Sequence, residues 1–201
     1  MYMLELRKRL QAAEEEQREQ TKKRNKLLYQ SEHDELTGLY NKRSLNRYLE
    51  DVFEACKLNE KELGILFLDI DYFKQLNDRY GHGKGDEGIC AVADALKKIF
   101  PEDYVARYGG DEFLVVMPER DLAYAMEHAK LLCAGIRECK IPNEDSKVEP
   151  WLTISVGGVC AIPREPNRVW DFLSAADNTL YEQKKEQKGK VRFYQGEGKY
   201  L

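Results

Sequence analysis

Two pairs of carboxylates stand where ordinary packing has little use for them. Asp69 and Asp71 end the apolar run Leu63–Ile70 (LGILFLDI). Side chains alternate along a strand, so both carboxyls point to one face and the Ile70 carbonyl lies between them. Ionised carboxylates at the end of a buried strand cost several kcal/mol unless a cation or a donor meets them. Asp111 and Glu112 follow Gly109-Gly110 between two short strand-like segments, and paired glycines let a ligand approach the backbone. If that hairpin lies beside the 63–70 strand, Asp69, Asp111 and Glu112 converge. Three carboxylates and a carbonyl, without His or Cys, form a hard oxygen site suited to Mg²⁺ or Mn²⁺ rather than zinc. Two such ions side by side would activate a hydroxyl and neutralise an α-phosphate.

Groups that could hold phosphate and base come next in the chain. Asp71-Tyr72-Phe73-Lys74 opens a predicted helix whose first N–H groups attract anions, and Lys74 adds a point charge. An Asp such as Asp86 accepts from both N1–H and the N2 amino group of guanine, a donor pair that adenine lacks, and Asn77 could read the base from its other side. The residues therefore point to a metal-dependent enzyme acting on a purine nucleoside triphosphate, with guanine favoured. For a single acid the plainer reading is a cap or a solvated surface; Asp34, for instance, would only start a turn. A pair ending an apolar strand together with a pair in a Gly-Gly hairpin goes beyond that reading.

Other chemistries are excluded by pattern. Gly83-Lys84-Gly85-Asp86-Glu87-Gly88 spells G-x-G-x-x-G, but a predicted helix rather than a strand precedes it, so the dinucleotide reading fails. The chain has no G-x-x-x-x-G-K-[ST], no H-E-x-x-H and no G-x-S-x-G, and His33, His82 and His128 are far apart. Five scattered cysteines without a C-x-x-C pair indicate a reduced, cytoplasmic protein rather than a disulfide framework or a zinc site. A formal net charge of −4 over 201 residues argues against a protein that coats a nucleic acid polymer. No apolar run reaches the roughly 20 residues a membrane span needs, and the charged start lacks a signal-peptide core.

The elements that must position these groups follow from periodicity. Residues 1–30 lack Gly and Pro and carry eight basic and five acidic residues. A heptad seam runs Met3, Leu6, Leu10, Ala13, Gln17, Gln20, Arg24 and Leu27, apolar at its ends and polar between, as in a weak coiled coil. Fully helical, the segment would span about 45 Å. It reads equally as a solvated helical linker and as a parallel dimer stalk that transmits a signal, two roles that are compatible. Residues 31–201 form the globular domain, with predicted helices over 44–56, 71–80, 85–100, 122–136 and 169–188. Predicted strands cover 63–70, 104–108, 112–117, 151–159 and 191–194. The expected class is α+β, a central sheet covered by helices.

These blocks resemble the GGDEF-domain diguanylate cyclases over roughly residues 34–194. The likeness rests on Asp34-Glu35-Leu36-Thr37-Gly38-Leu39-Tyr40-Asn41-Lys42-Arg43, on Asp69-Ile70-Asp71-Tyr72-Phe73-Lys74-Gln75-Leu76-Asn77-Asp78, on Gly81-His82-Gly83-Lys84-Gly85-Asp86, and on Arg107-Tyr108-Gly109-Gly110-Asp111-Glu112-Phe113. Thr153-Ile154-Ser155-Val156-Gly157 and Ala176-Asp177-Asn178-Thr179-Leu180-Tyr181 extend it.

The resemblance implies a mostly antiparallel five-stranded sheet wrapped by helices, as in nucleotidyl cyclases and polymerase palms, behind the long N-terminal helix. It further implies condensation of two GTP into cyclic di-GMP with release of two pyrophosphates, using two Mg²⁺ or Mn²⁺ per active site. Asp69, the Ile70 carbonyl, Asp111 and Glu112 would hold metal, and Asp111 would help deprotonate the attacking 3′-hydroxyl. Lys74 and the backbone of Tyr72 and Phe73 would meet phosphates, with Gly109 and Gly110 giving the nucleotide access. Asn77 and Asp86 would read guanine, Leu36 would line its pocket and His82 would sit near the nucleoside or only fix its loop. Lys184 and Lys188 resemble the cations that reach the terminal phosphate, although the usual Gly-Arg ending is displaced here to Gly189-Lys190. Arg107 would order the hairpin.

One chain holds one metal site and one GTP, whereas the product has two equivalent phosphodiesters. Two sites must therefore face each other across a two-fold axis, which makes a homodimer the expected catalyst. The N-terminal helix would raise the local concentration of the pair, and an upstream sensor domain is expected in the full-length protein. Many relatives carry an inhibitory Arg-x-x-Asp before the hairpin; here Phe100 replaces the Arg and only Asp103 remains. Weak product feedback is the expectation, because a phenyl ring cannot replace guanidinium contacts. Two other functions stay open from sequence: a non-catalytic module that binds GTP or cyclic di-GMP, and a cyclase making a monomeric cyclic nucleotide.

Overall fold

The computed structural model describes residues 2–194. The side chains of the seam positions Met3, Leu6, Leu10 and Ala13, and residues 195–201 of the expected domain, lie outside the described residues. In chain order the elements are α1 (Tyr2–Glu32), β1 (Tyr40–Asn41), α2 (Lys42–Leu58), β2 (Leu63–Ile70), α3 (Phe73–Tyr80), α4 (His82–Ile99), β3 (Tyr104–Gly109), β4 (Glu112–Pro118), α5 (Leu122–Glu138), β5 (Ile154–Ala161), α6 (Val169–Glu186) and β6 (Val191–Phe193).

The sheet order is β1-β3-β4-β2-β5-β6. The inner four strands pair antiparallel, and the short edge strands β1 and β6 pair parallel to β3 and β5. The class is α+β, but the sheet has six strands where five were expected. The extra strand is Tyr40–Asn41, two residues with no readable alternation, and it exists only because β3 supplies partners at Ala106 and Arg107.

The oily sequence of β2 is explained by its central position, with helices on both faces. Leu66, Leu68 and Ile70 pack with Ile89, Val92 and Leu96 of α4 and Leu132 and Ile136 of α5. Leu63, Ile65 and Phe67 pack on the opposite face with Leu45, Leu49 and Phe53 of α2 and Phe172, Ala176 and Leu180 of α6. The helix starts are capped as their sequences allow: Asn41 Oδ1 accepts from the Ser44 amide, and Asp121 Oδ1 from the Tyr124 amide. No described helix is long and apolar enough to cross a membrane, and all five cysteines are free.

The long helix is fastened to the domain through rings. Tyr29, His33, Tyr40, Tyr104 and Tyr48 stack in a continuous ladder with successive centroids 4.0, 4.5, 4.1 and 3.9 Å apart. It ties the last turn of α1 to β1, β3 and α2. Asn41 Nδ2 adds a bond to the Ser31 carbonyl at 2.8 Å. Each stacked pair contributes about 0.5–1.5 kcal/mol beyond area burial, so the ladder resists bending at the junction. Farther from the domain, the described seam positions Gln17, Gln20, Arg24 and Leu27 are all exposed.

Candidate active site

Strand register brings the acidic residues together. Antiparallel pairing sets Asp69 of β2 directly opposite Glu112 of β4, and the Ile70 amide donates to the Asp111 carbonyl at 3.3 Å. Like charges facing each other across a ladder repel, and this site retains that repulsion. Burial, and then the neighbouring Asp69, push the Asp111 carboxyl above its ordinary range. Burial followed by Asp69, Asp111 and Asp177 does the same to Glu112. Lys184 opposes both shifts, and its Nζ lies 2.6 Å from Asp69 Oδ1. Among the described residues no three His, Cys, Asp or Glu side chains close on a single point as a metal cage would. Among the described residues, the direct cationic contact of these neighbouring carboxylates is the Lys184 ammonium on Asp69.

The hairpin that presents Asp111 is built around open glycines. A bulge between Arg107 and Gly109 turns Tyr108 onto Phe67, with the Lys42 ammonium 3.8 Å from the Tyr108 ring centre. Gly110 has φ of +53°, a conformation that favours glycine. Gly109 has an ordinary φ, and a Cβ there would meet nothing within 4 Å, so no intramolecular contact demands its glycine. Space over that backbone is what a close ligand would use. Arg107 orders the turn as expected, donating to the Gly110 carbonyl from Nε and Nη2 at 3.0 and 2.8 Å and to Asp34 from Nη1 at 3.1 Å. Asp34 also accepts from the Thr37 amide and hydroxyl. Burial alone would raise its pKa, but Thr37 and Arg107 hold it below the ordinary value. The acid that would only start a turn thus joins the segment after α1 to the Gly109-Gly110 hairpin.

Asp69 and Asp71 share a face, yet their environments differ. Asp71 is fully buried, its Oδ1 accepting from Ser155 Oγ at 2.7 Å and its Oδ2 from Thr153 Oγ1 at 2.8 Å. Burial raises its pKa, and the two hydroxyls and the Lys188 charge work against that rise. Its carboxyl fastens the β2–α3 turn and is spent on that task. Tyr72, next in the chain, takes a left-handed conformation with φ of 55°, which starts α3 at Phe73 rather than at Asp71. The first-turn amides of α3 and the exposed Lys74 follow from that turn. Lys188 Nζ rests 4.4 Å from the Tyr72 ring centre.

The candidate base readers lie farther along α3 and α4. Asn77 Oδ1 is buried without a hydrogen-bond partner, and a Cβ on Gly85 would come within 2.0 Å of it. Gly85 is thus the gap into which the Asn77 amide fits, and an unpaired buried acceptor is costly until something donates to it. His82 and Asp86 are exposed on the first turns of α4. Leu36 is 38% exposed, its carbonyl 3.6 Å from Cys90 Sγ. The candidate residues thus lie at the β2/β4 end (Asp69, Ile70, Asp111, Glu112, with Lys184 on Asp69), at the β2–α3 turn and the start of α3 (Tyr72, Phe73, Lys74, with Lys188 on Tyr72), and farther along α3 and on the first turns of α4 (Asn77, His82, Asp86). Asp177 was missed as a contributor. Its signal was its spacing, two helical turns before Lys184 and so on one face of α6.

Residues 31–190 match the family model described as diguanylate cyclase, GGDEF domain. The chain belongs to the GGDEF diguanylate cyclase domain family. It is 31% identical over 164 residues to the probable diguanylate cyclase DgcC of Escherichia coli, covering 81% of this chain and 43% of DgcC. To the response regulator PleD of Caulobacter vibrioides it is 33% identical over 152 residues, 75% of this chain and 33% of PleD. It thus spans less than half the length of these curated relatives. The coiled coil and GGDEF domain of DgcB from Caulobacter crescentus, solved with c-di-GMP, matches with a TM-score of 0.83 at 23% identity, covering 94% of this chain and 99% of that one. At that identity the likeness concerns fold alone. The diguanylate cyclase SiaD of Pseudomonas aeruginosa, solved with its activator SiaC, matches with a TM-score of 0.72 at 28% identity over 96% of this chain and 74% of SiaD.

Proposed function

We propose that this chain condenses two GTP molecules into cyclic di-GMP across a homodimer. The observation that carries the reading is the Asp69–Glu112 register beside Asp111 on an open Gly-Gly turn. The donor chemistry fits hard divalent ions: only oxygens are offered, and an ammonium already lies on one of them. Two Mg²⁺ or Mn²⁺ ions held by Asp69, the Ile70 carbonyl, Asp111 and Glu112 would neutralise charge at the α-phosphate and acidify the 3′-hydroxyl.

The chain's own groups do the rest. Asp111 accepts the 3′-hydroxyl proton. The freed oxygen forms a bond to the α-phosphorus of the GTP on the other protomer. The α–β bridging bond breaks, and pyrophosphate leaves with its electron pair. The same step in the opposite direction closes the ring. Lys74, the amides of Tyr72 and Phe73, Lys184 and Lys188 hold the phosphates, while Asn77 and Asp86 select guanine beside Leu36 and His82. Leu27, exposed on the seam of α1, suits a stalk that keeps two domains near each other, with an upstream sensor attached in the longer protein.

Incubation with GTP and Mg²⁺ followed by chromatography tests the reading. Cyclic di-GMP is the expected product, at an initial rate that rises with the square of protein concentration before becoming linear. A monomeric cyclic nucleotide, or bound GTP without turnover, would point to the other functions open from sequence.

Feedback by product at the Phe100–Asp103 position is expected to be weak. Phe100 is buried. The Asp103 carboxyl is 1% exposed and accepts from the Tyr124 hydroxyl at 2.7 Å, so it is turned inward. Product added at 10 µM, roughly an order-of-magnitude choice above tight binding, should leave the initial rate unchanged; inhibition at that level would contradict this.

A further inference from the structure

The ammonium on Asp69 has a consequence for how the site fills. Lys184 lies near the end of α6, and its flexible four-carbon stem carries a compact charge that moves readily between partners. The ion pair is neither buried nor freely solvated, with side chains 25% and 14% exposed. Its surroundings are one-sided: Asp111, Glu112 and Asp177 add negative charge. Other cations nearby are engaged. Arg107 is bound to Asp34 and the Gly110 carbonyl, and Lys188 lies on Tyr72.

We propose that Lys184 is an exchangeable counter-ion, holding Asp69 in the nucleotide-free chain and leaving it for the triphosphate when metal and GTP enter together. This rests on the metal reading of Asp69 given above. Free metal alone must compete with the ammonium already held on Asp69 and brings no new anion to receive it. Metal arriving with GTP brings phosphate oxygens that receive it. Metal and nucleotide binding are thereby coupled, each tightening the other by the same factor, and the empty site is guarded against metal without substrate.

Titration of the nucleotide-free protein with Mn²⁺, read by electron paramagnetic resonance of the free ion, tests this without turnover. Lys184→Met should bind Mn²⁺ at least about fivefold more tightly than the parent, the scale of a modest coupling free energy. The gain in Mn²⁺ affinity caused by 3′-deoxy-GTP, which cannot condense, should shrink by a similar factor. Lys184→Arg should bind Mn²⁺ no more tightly than the parent, since a forked guanidinium grips Asp69 as well. Lys188→Met removes an equal charge from the neighbouring loop and should change Mn²⁺ affinity little. Unchanged or weaker Mn²⁺ binding by Lys184→Met, or an equal gain in Lys188→Met, would overturn the exchange. Adding Asp69→Asn to Lys184→Met should remove the tight binding. If it does not, Asp69 is no metal ligand, and the site reading itself fails.

Discussion

An Asp111→Asn variant is expected to lose cyclic di-GMP synthesis by roughly a thousandfold, about 4 kcal/mol of transition-state stabilisation, and yet to melt above the parent. The loss follows because asparagine neither takes the 3′-hydroxyl proton nor holds a divalent ion with full charge. The gain follows first from the burial of the Asp111 charge and then from the repulsion it shares with Asp69. A carboxyl whose native pKa is elevated releases its proton less readily in the folded chain than in the unfolded one. As pH rises from the ordinary value of 3.8 through the elevated one, the parent loses stability that the variant keeps, and above that window the full difference remains. Relief on the order of 0.5–2 kcal/mol is typical when a site's functional strain is removed. Melting temperatures of the two proteins between pH 4 and pH 8, without metal or nucleotide, should diverge upward in pH. Equal melting at pH 7.5 would refute the electrostatic account, and parental turnover would refute the assignment of Asp111.

The second large effect concerns stability, at a glycine of the sheet. Gly157 of β5 faces α6 so closely that an added Cβ would lie 2.2 Å from the Leu180 nitrogen, 2.4 Å from the Ala176 oxygen and 2.6 Å from the Leu180 Cα. All three are backbone atoms, so no rotamer change relieves the contact and the helix itself must move away. Gly157→Ala should therefore cost about 3 kcal/mol, the upper part of the usual range for overpacking, measured as a drop in the urea midpoint. Gly135→Ala offers the contrast. It lies inside α5 with only Ile99 Cδ1 near, at 3.9 Å, and should stabilise by about 0.5–1 kcal/mol through helix propensity. If both substitutions moved the midpoint alike, close approach of α6 to the sheet would not be what holds the helix in place. Because α6 carries Asp177 and Lys184, Gly157→Ala is also expected to loosen the ion pair on Asp69.

Much of this architecture was legible because local pattern and tertiary role agree. The unbroken apolar run of β2 announced a strand covered on both sides, and the three-four spacing in α4 and α5 announced their buried faces. Legibility failed where partners lie far off in the chain. Tyr40–Asn41 becomes a strand only through Ala106 and Arg107. Trp151, expected to begin β5, makes only an isolated bridge to Pro142, and the strand begins at Ile154. The start of α4 moves from Gly85 to His82, because Gly81 at φ of +83° already turns the chain there.

The site divides in the same way. Which residues carry charge, that they are hard oxygen donors, and that two glycines precede Asp111 are properties of the chain's order alone. Alternation placed Asp69 and Asp71 on one face, but it could not assign one to a pair of buried hydroxyls and the other to Lys184. It could not turn the Asp103 carboxyl inward beneath Tyr124, nor bring Asp177 within reach of Glu112. Those outcomes depend on how helices α5 and α6 settle on the sheet. Charges act strongly only at short range and out of water, and it is packing that sets both distance and exposure. Composition and spacing therefore determined the chemistry this protein has at its disposal, and the fold decided which of those groups meet.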